Sequence, residues 1–190
     1  GAAFGSARPP NFRVAQVAGR ERISARFVRL RLEAENLADF ARSGLHFRLL
    51  LPAAPRTPVW PELGPDGRTI WPKGQDRLHT PAYTIRRIDP AAGWLDVEIF
   101  LHGNGPTCAW AEQVAPGAEV GITGPGGGWF PEAKDMVLAG DETALPAIAR
   151  ILESAAPETT GAALIEVSDE GDVRPLDHPD GVNVTWLRRS

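Results

Sequence analysis

The sequence predicts an antiparallel β-barrel followed by an α/β unit built on a parallel sheet. Three observations carry that expectation. Short runs in the first two thirds of the chain alternate apolar and polar, each closed by glycine, proline, asparagine or aspartate. The cluster Gly124-Pro125-Gly126-Gly127-Gly128 ends that pattern. Beyond it, a continuous apolar run, a segment at helical spacing and two further apolar runs follow in β-α-β order.

Residues 12–18 and 27–33 read as two antiparallel strands joined through 19–25. In the second, Val28, Leu30 and Leu32 alternate with Arg29, Arg31 and Glu33, so one face meets the core and the other is wet. Residues 37–40 suit a helical turn, and 45–51 a third strand ended by Pro52. From 52 to 80 the chain is rich in proline, glycine and tryptophan, and is expected to be a long functional or mobile loop. Residues 82–88 alternate, with Tyr83, Ile85 and Arg87 on one face and Thr84, Arg86 and Ile88 on the other. A Pro-Ala-Ala-Gly turn leads to Leu95, Val97, Ile99 and Leu101 at period 2. Residues 119–123 make the sixth strand, and six short antiparallel strands with turn punctuation predict a small closed barrel.

In the second part, 136–139 reads as a buried strand, Leu145, Ile148, Ala149 and Leu152 fall at helical spacing, and 163–167 and 182–187 are two more strands. Pro146 is tolerated because it stands in the helix's first turn. The reading is a truncated Rossmann-like nucleotide-binding domain, with three strands where such a domain normally has about five or six. The expected organisation is a disordered leader 1–11, a barrel 12–131, and an α/β domain 132–190 incomplete at its C-terminus, with a bare edge at 182–187.

Composition narrows the function. A net charge of −4 gives no reason to expect nucleic acid or an anionic membrane as partner. One cysteine, Cys108, rules out an internal disulfide or a cysteine-based metal site, and it fits a reducing compartment. No run approaches about 18 apolar residues, and no signal pattern opens the chain, so a cytoplasmic monomer with no stable membrane insertion is expected.

The chemistry concentrates in 79–113, HTPAYTIRRIDPAAGWLDVEIFLHGNGPTCAWAEQ. Gly105-Pro106 before Thr107-Cys108 is helix-start chemistry, and the free N–H groups of a helix start attract anions. An aromatic ring (Tyr83), a hydroxyl (Thr84), two arginines (Arg86, Arg87) and that helix start suggest a phosphate-bearing aromatic cofactor. GPGGGW at 124–129 lacks the strand–glycine–helix context of a dinucleotide fingerprint and reads as an interdomain turn.

AYTIR at 82–86, HGNGPTCAWA at 102–111 and AGDETALPAI at 139–148, supported by HFRLLLP at 46–52, together resemble the siderophore-interacting proteins. That family comprises flavoprotein ferric-siderophore reductases related to ferredoxin–NADP reductases, and the resemblance spans roughly 12–187. It implies FAD as cofactor, NADPH or NADH as electron donor and a ferric siderophore as small-molecule substrate. It places the Tyr83 ring against the flavin, with Thr84 near the reactive N5 as the catalytic residue and Ile85 and Arg86 beside them. It puts His102, Gly105, Pro106, Thr107 and Cys108 at the pyrophosphate, and Asp141, Thr143 and Ala144 where flavin and nicotinamide meet. Two departures stand out. Pro81 occupies the position where the family has a phosphate-binding arginine, with Arg86, Arg77, His79 or Arg87 as substitutes. The His102–Gly105 segment is also one residue shorter than the family's.

On the residues alone, Tyr83 is equally an interfacial strand tyrosine, His102 a solvated strand-end histidine, and Asp141 or Thr143 an ordinary helix cap. Trp110 and Cys108 read as packing residues. Two other functions remain open at this stage: a general NAD(P)H:flavin or ferredoxin-type reductase, and a non-catalytic module binding flavin or siderophore.

Overall fold

The computed structural model describes residues 7–42, 44–53, 55–128 and 132–190. The first part of the expected leader and the barrel's expected end at 130–131 lie outside them. The first unit runs β1 (Phe12–Ser24), β2 (Phe27–Glu33), α1 (Ala38–Arg42), β3 (His46–Pro52), β4 (Glu62–Leu63) and β5 (Thr69–Ile70). It continues through β6 (Leu78–His79), β7 (Ala82–Thr84), β8 (Arg87–Asp89), β9 (Trp94–Phe100), α2 (Pro106–Gln113) and β10 (Glu119–Gly126).

Eight of these strands form one antiparallel sheet, in the order β6-β3-β10-β1-β2-β9-β8 with β7 also paired to β3. The count corrects the expected six. Pro81 lacks an N–H and interrupts what would be one strand from 78 to 84. The chain then changes partner between Ile85 and Arg86: Ile85 N donates to Leu45 O at 2.9 Å, and Arg86 N to Asp96 O at 2.9 Å. Stretch 82–89 therefore pairs with β3 through its first half and with β9 through its second. The pairing path is open between β7 and β8, and the chain itself spans that seam. The period-2 residues meet inside, where Leu30, Leu32, Leu49, Val97, Ile99 and Ile122 are fully buried. β1 outruns its expected end because 19–24 stays paired to β2; it pairs β10 through 12–16 and β2 through 16–24. The long connection 52–80 carries a two-stranded ribbon, β4-β5, and a 3-10 turn at Gly74–Asp76.

The second unit is β11 (Asp135–Gly140), α3 (Leu145–Ser154), β12 (Thr160–Val167) and β13 (Val182–Arg188), a three-stranded parallel sheet in the order β11-β12-β13. α3 packs Leu145, Ile148 and Leu152 onto Ala163 and Ile165. On the opposite face Val137, Leu164 and Leu187 are exposed.

The two units share one apolar cluster. Phe27, at the start of β2, is fully buried in one cluster with Leu145, Ile148, Leu152 and Ile165, and the Phe100 ring lies tilted against it at 5.4 Å between ring centroids. Removing such a ring from water contributes about 2–3 kcal/mol. This contact sets the α3 end of the second unit against β2, β9 and the 82–89 stretch of the first.

Candidate functional site

A cavity of about 390 Å³ opens where the two units meet. From the barrel come Phe27, His46, Pro81, Tyr83, Thr84 and Glu98; from the second unit come Glu142, Thr143 and Pro146. Phe100 and His102, at the end of β9, also line it. Alternation on stretch 82–89 explains the arrangement. Ile85 points into the barrel core, while Thr84 and Arg86 point out and are buried by the second unit. Tyr83 is half-buried, packed against the edge of that core.

Next to Tyr83, Thr107 is buried at the start of α2, and His79 Nε2 lies 3.1 Å from its Oγ1. Burial raises the Tyr83 hydroxyl's pKa, and a hydrogen bond with Thr107 works against the rise. Tyr83, Thr107 and His79 thus form a polar line from the cavity to the helix start. α2 begins at Gly105, whose φ of +94° favours glycine, and no side chain caps it. Pro106 has no N–H to offer, and first-turn N–H groups such as those of Thr107 and Cys108 have no acceptor within a helix. Cys108 is buried, its Sγ 3.6 Å from Phe100 O, and Trp110 packs against the barrel core, as a packing role requires.

Across the cavity, Asp141 Oδ1 accepts from Thr143 N at 2.9 Å and from Thr143 Oγ1 at 2.6 Å. Those bonds, the side-chain one foremost, hold the Asp141 carboxyl below its ordinary pKa. The side chain closes the turn ahead of α3, while Ala144 occupies the helix's cap position with no side-chain cap bond. Gly140 is required in that turn by space: a Cβ there would stand 2.4 Å from the Ala144 Cβ. Glu142 is buried, and burial by itself would raise its pKa. Hydrogen bonds from Arg189 (2.8 and 2.9 Å), its own backbone and Ser168 hold it low instead.

Glu98, on the cavity wall, is the centre of an ion cluster that the sequence reading did not anticipate. Glu98 accepts from Arg29 Nη2 at 2.7 Å and from Arg174 Nη2 at 3.4 Å, with Arg86 Nε 3.5 Å away. Arg86 Nη1 also donates to Glu153 on α3 at 2.9 Å, and Arg150 Nη1 donates to Ile85 O at 2.7 Å. Burial lowers the pKa of both Arg150 and Arg174. The structure therefore gathers Tyr83, Thr84, His102 and Thr143 around one space, with Gly105, Pro106, Thr107 and Cys108 at the adjoining helix start and Asp141 and Ala144 at the opposing turn. It places Ile85 in the core and Arg86 in the ion cluster. Glu98 was overlooked because its position on β9 faces away from the barrel, which by alternation reads as solvent.

Comparison with known proteins is consistent along the chain. The siderophore-interacting FAD-binding domain pattern matches residues 16–129, and the siderophore-interacting protein pattern matches 133–190. The chain is 30% identical over 175 residues to the ferric vibriobactin reductase ViuB of Vibrio cholerae, covering 88% of this chain and 63% of that protein. It is 34% identical over 187 residues to an NADPH-dependent ferric-chelate reductase of Escherichia coli, covering 93% of this chain and 71% of that one. The crystal structure of the siderophore-interacting protein SipS from Aeromonas hydrophila superposes with a TM-score of 0.78 at 29% identity, over 95% of this chain and 73% of that one.

Proposed function

This chain belongs to the siderophore-interacting protein family, and from that premise we propose that it is an FAD-dependent reductase of ferric siderophores, driven by NADPH or NADH in the cytoplasm. The observation that carries the reading is the cavity between the units, with Tyr83 and Thr84 on one wall and Thr143 on the other. The residues fit the cofactor. Tyr83 offers an aromatic face, Thr84 a hydroxyl at the rim, and the uncapped start of α2 a set of N–H donors for a diphosphate.

FAD supplies two-electron uptake from reduced nicotinamide and one-electron delivery to ferric iron, which arrives already chelated as substrate. The chain's own work is alignment. Tyr83 would hold one face of the ring, and Thr84 would offer its hydroxyl or backbone N–H at the edge. Thr143 and the Asp141-closed turn shape the approach for nicotinamide. The Glu98 cluster and the Arg150–Ile85 bond fix the distance between the two walls, and errors of about 1 Å in such alignment cost on the order of a hundredfold in rate.

The test of cofactor identity is an absorbance spectrum after incubation with excess FAD and desalting. A retained flavin band supports the reading. The absence of a band, with no quenching of flavin fluorescence on titration, removes it.

A further inference from the structure

His46 opens β3, between Gly126 of β10 and Thr84 of β7. His46 and Thr84 are direct cross-strand partners, so their side chains leave the same face of the sheet with Cβ atoms about 5 Å apart. Both line the cavity between the units. Gly127, at φ +71°, walls one side of the imidazole: a Cβ there would stand 2.9 Å from His46 Nδ1. Nδ1 is the ring atom nearest to that glycine, which leaves Nε2 as the nitrogen away from it. The imidazole is half-buried and makes no hydrogen bond among the described residues. The other proton-binding groups of the cavity are committed or stand elsewhere in it. Glu98 is held by Arg29, Arg86 and Arg174, and Glu142 by Arg189 and Ser168. Tyr83 bonds Thr107, and His102 lies beside Phe100 and Gly105, toward the start of α2.

Hydride reaches a flavin at N5 as a hydrogen nucleus with two electrons, and that step needs no further proton. When the electrons then leave singly to ferric iron, the N5–H proton must leave as well. We propose that His46 takes that proton, with the Thr84 hydroxyl as the link. Thr84 accepts the proton from N5 and donates its own to His46 Nε2, from which it passes to water. The N5–H bond breaks, an N–H bond forms on the imidazole, and both electrons go to two ferric acceptors. An imidazole suits the task because it binds and releases a proton near neutral pH. The inference rests on the flavin reading above and goes beyond it by assigning the proton's path in the oxidative half of the reaction.

Two measurements on the full chain test it. In the first, side-chain nitrogen NMR spectra of the chain's 4 histidines are recorded with and without FAD, the His46 signal being the one missing from His46→Gln. FAD should shift the His46 signal and leave that of His178, which does not line the cavity, in place. In the second, protein loaded with FAD is bleached by NADPH or NADH and then reoxidised by ferricyanide in a stopped-flow instrument. His46→Gln should reoxidise about a hundredfold more slowly, the lower range for a positioned proton acceptor, with bleaching changed by less than about twofold. Free imidazole should restore part of the reoxidation rate of His46→Ala. An unmoved His46 signal with flavin bound, unchanged reoxidation, equal slowing of both halves, or no rescue would each overturn the assignment. A wild type that takes up no FAD, or that neither nucleotide bleaches, would overturn the reading of the cavity itself, and this inference with it.

Discussion

Arg150, on α3, donates from Nη1 to the main-chain carbonyl of Ile85 at 2.7 Å. That carbonyl lies between Thr84 and Arg86, so one guanidinium of the second unit holds the backbone of the stretch lining the first unit's cavity. Replacing it, Arg150→Met, leaves a buried carbonyl without this donor. The expected loss is about 2 kcal/mol of stability, read from urea unfolding. A variant as stable as the wild type would show that the bond contributes nothing to the junction.

Glu98 carries more. Its buried carboxylate faces Arg29, Arg86 and Arg174, which come from β2, stretch 82–89 and the β12–β13 connection. Glu98→Gln keeps the shape and removes the charge, leaving three guanidinium groups without their common partner. Breaking a buried pair in this way costs about 3–5 kcal/mol. The exposed pair of Arg188 with Glu170 provides the control: Glu170→Gln should change stability by less than about 1 kcal/mol. Equal effects of the two substitutions would contradict the role given to Glu98.

Much of this fold was legible because its elements alternate cleanly. Leu95, Val97 and Ile99 face one core, and Leu145, Ile148 and Leu152 another, just as their spacing requires. What stayed hidden depends on the two units meeting. Glu98 and Arg86 are polar residues on strand faces that alternation assigns to water, and Arg174 and Glu153 of the second unit meet them there. Pro81 was visible as a departure from the family, but its structural effect, separating β6 from β7, needed the register of β3 to be known, and the change of partner that separates β7 from β8 needed that of β9. Asp141 was read as one possible helix cap; its side chain instead binds Thr143 one turn earlier.

Glu142 gives a pH dependence. Its folded pKa is depressed below the ordinary 4.5 through Arg189 and Ser168, despite its burial. A depressed carboxyl stabilises the fold fully above its unfolded value, and that contribution is lost as pH falls through the folded value. Stability should therefore decline as pH falls below 4.5. Glu142→Gln should flatten the decline in that window, read by chemical denaturation at stepped pH. Identical pH profiles for variant and wild type would show that the Glu142–Arg189 pair does not supply it.

Tyr83→Ala removes the aromatic wall of the ring cavity. By analogy with bases stacked on aromatic side chains, FAD affinity should fall by about 1–3 kcal/mol. Titration of wild type and variant with FAD decides this. Equal dissociation constants would leave Tyr83 a packing residue at the edge of the barrel core, where it also makes contact.

The reaction itself is the most direct test. Under anaerobic conditions in a stopped-flow instrument, protein loaded with FAD is mixed with NADPH or NADH, then with a ferric siderophore and an iron(II) trap. The account predicts bleaching of the flavin band by the nicotinamide, and its recovery together with trapped iron(II) when the chelate is added. Thr84→Val should retain the flavin and bleach roughly ten- to a hundredfold more slowly, the effect of one lost hydrogen bond of about 1–3 kcal/mol. Flavin that bleaches but is never reoxidised by the ferric chelate would contradict the central claim and leave a general flavin reductase in its place.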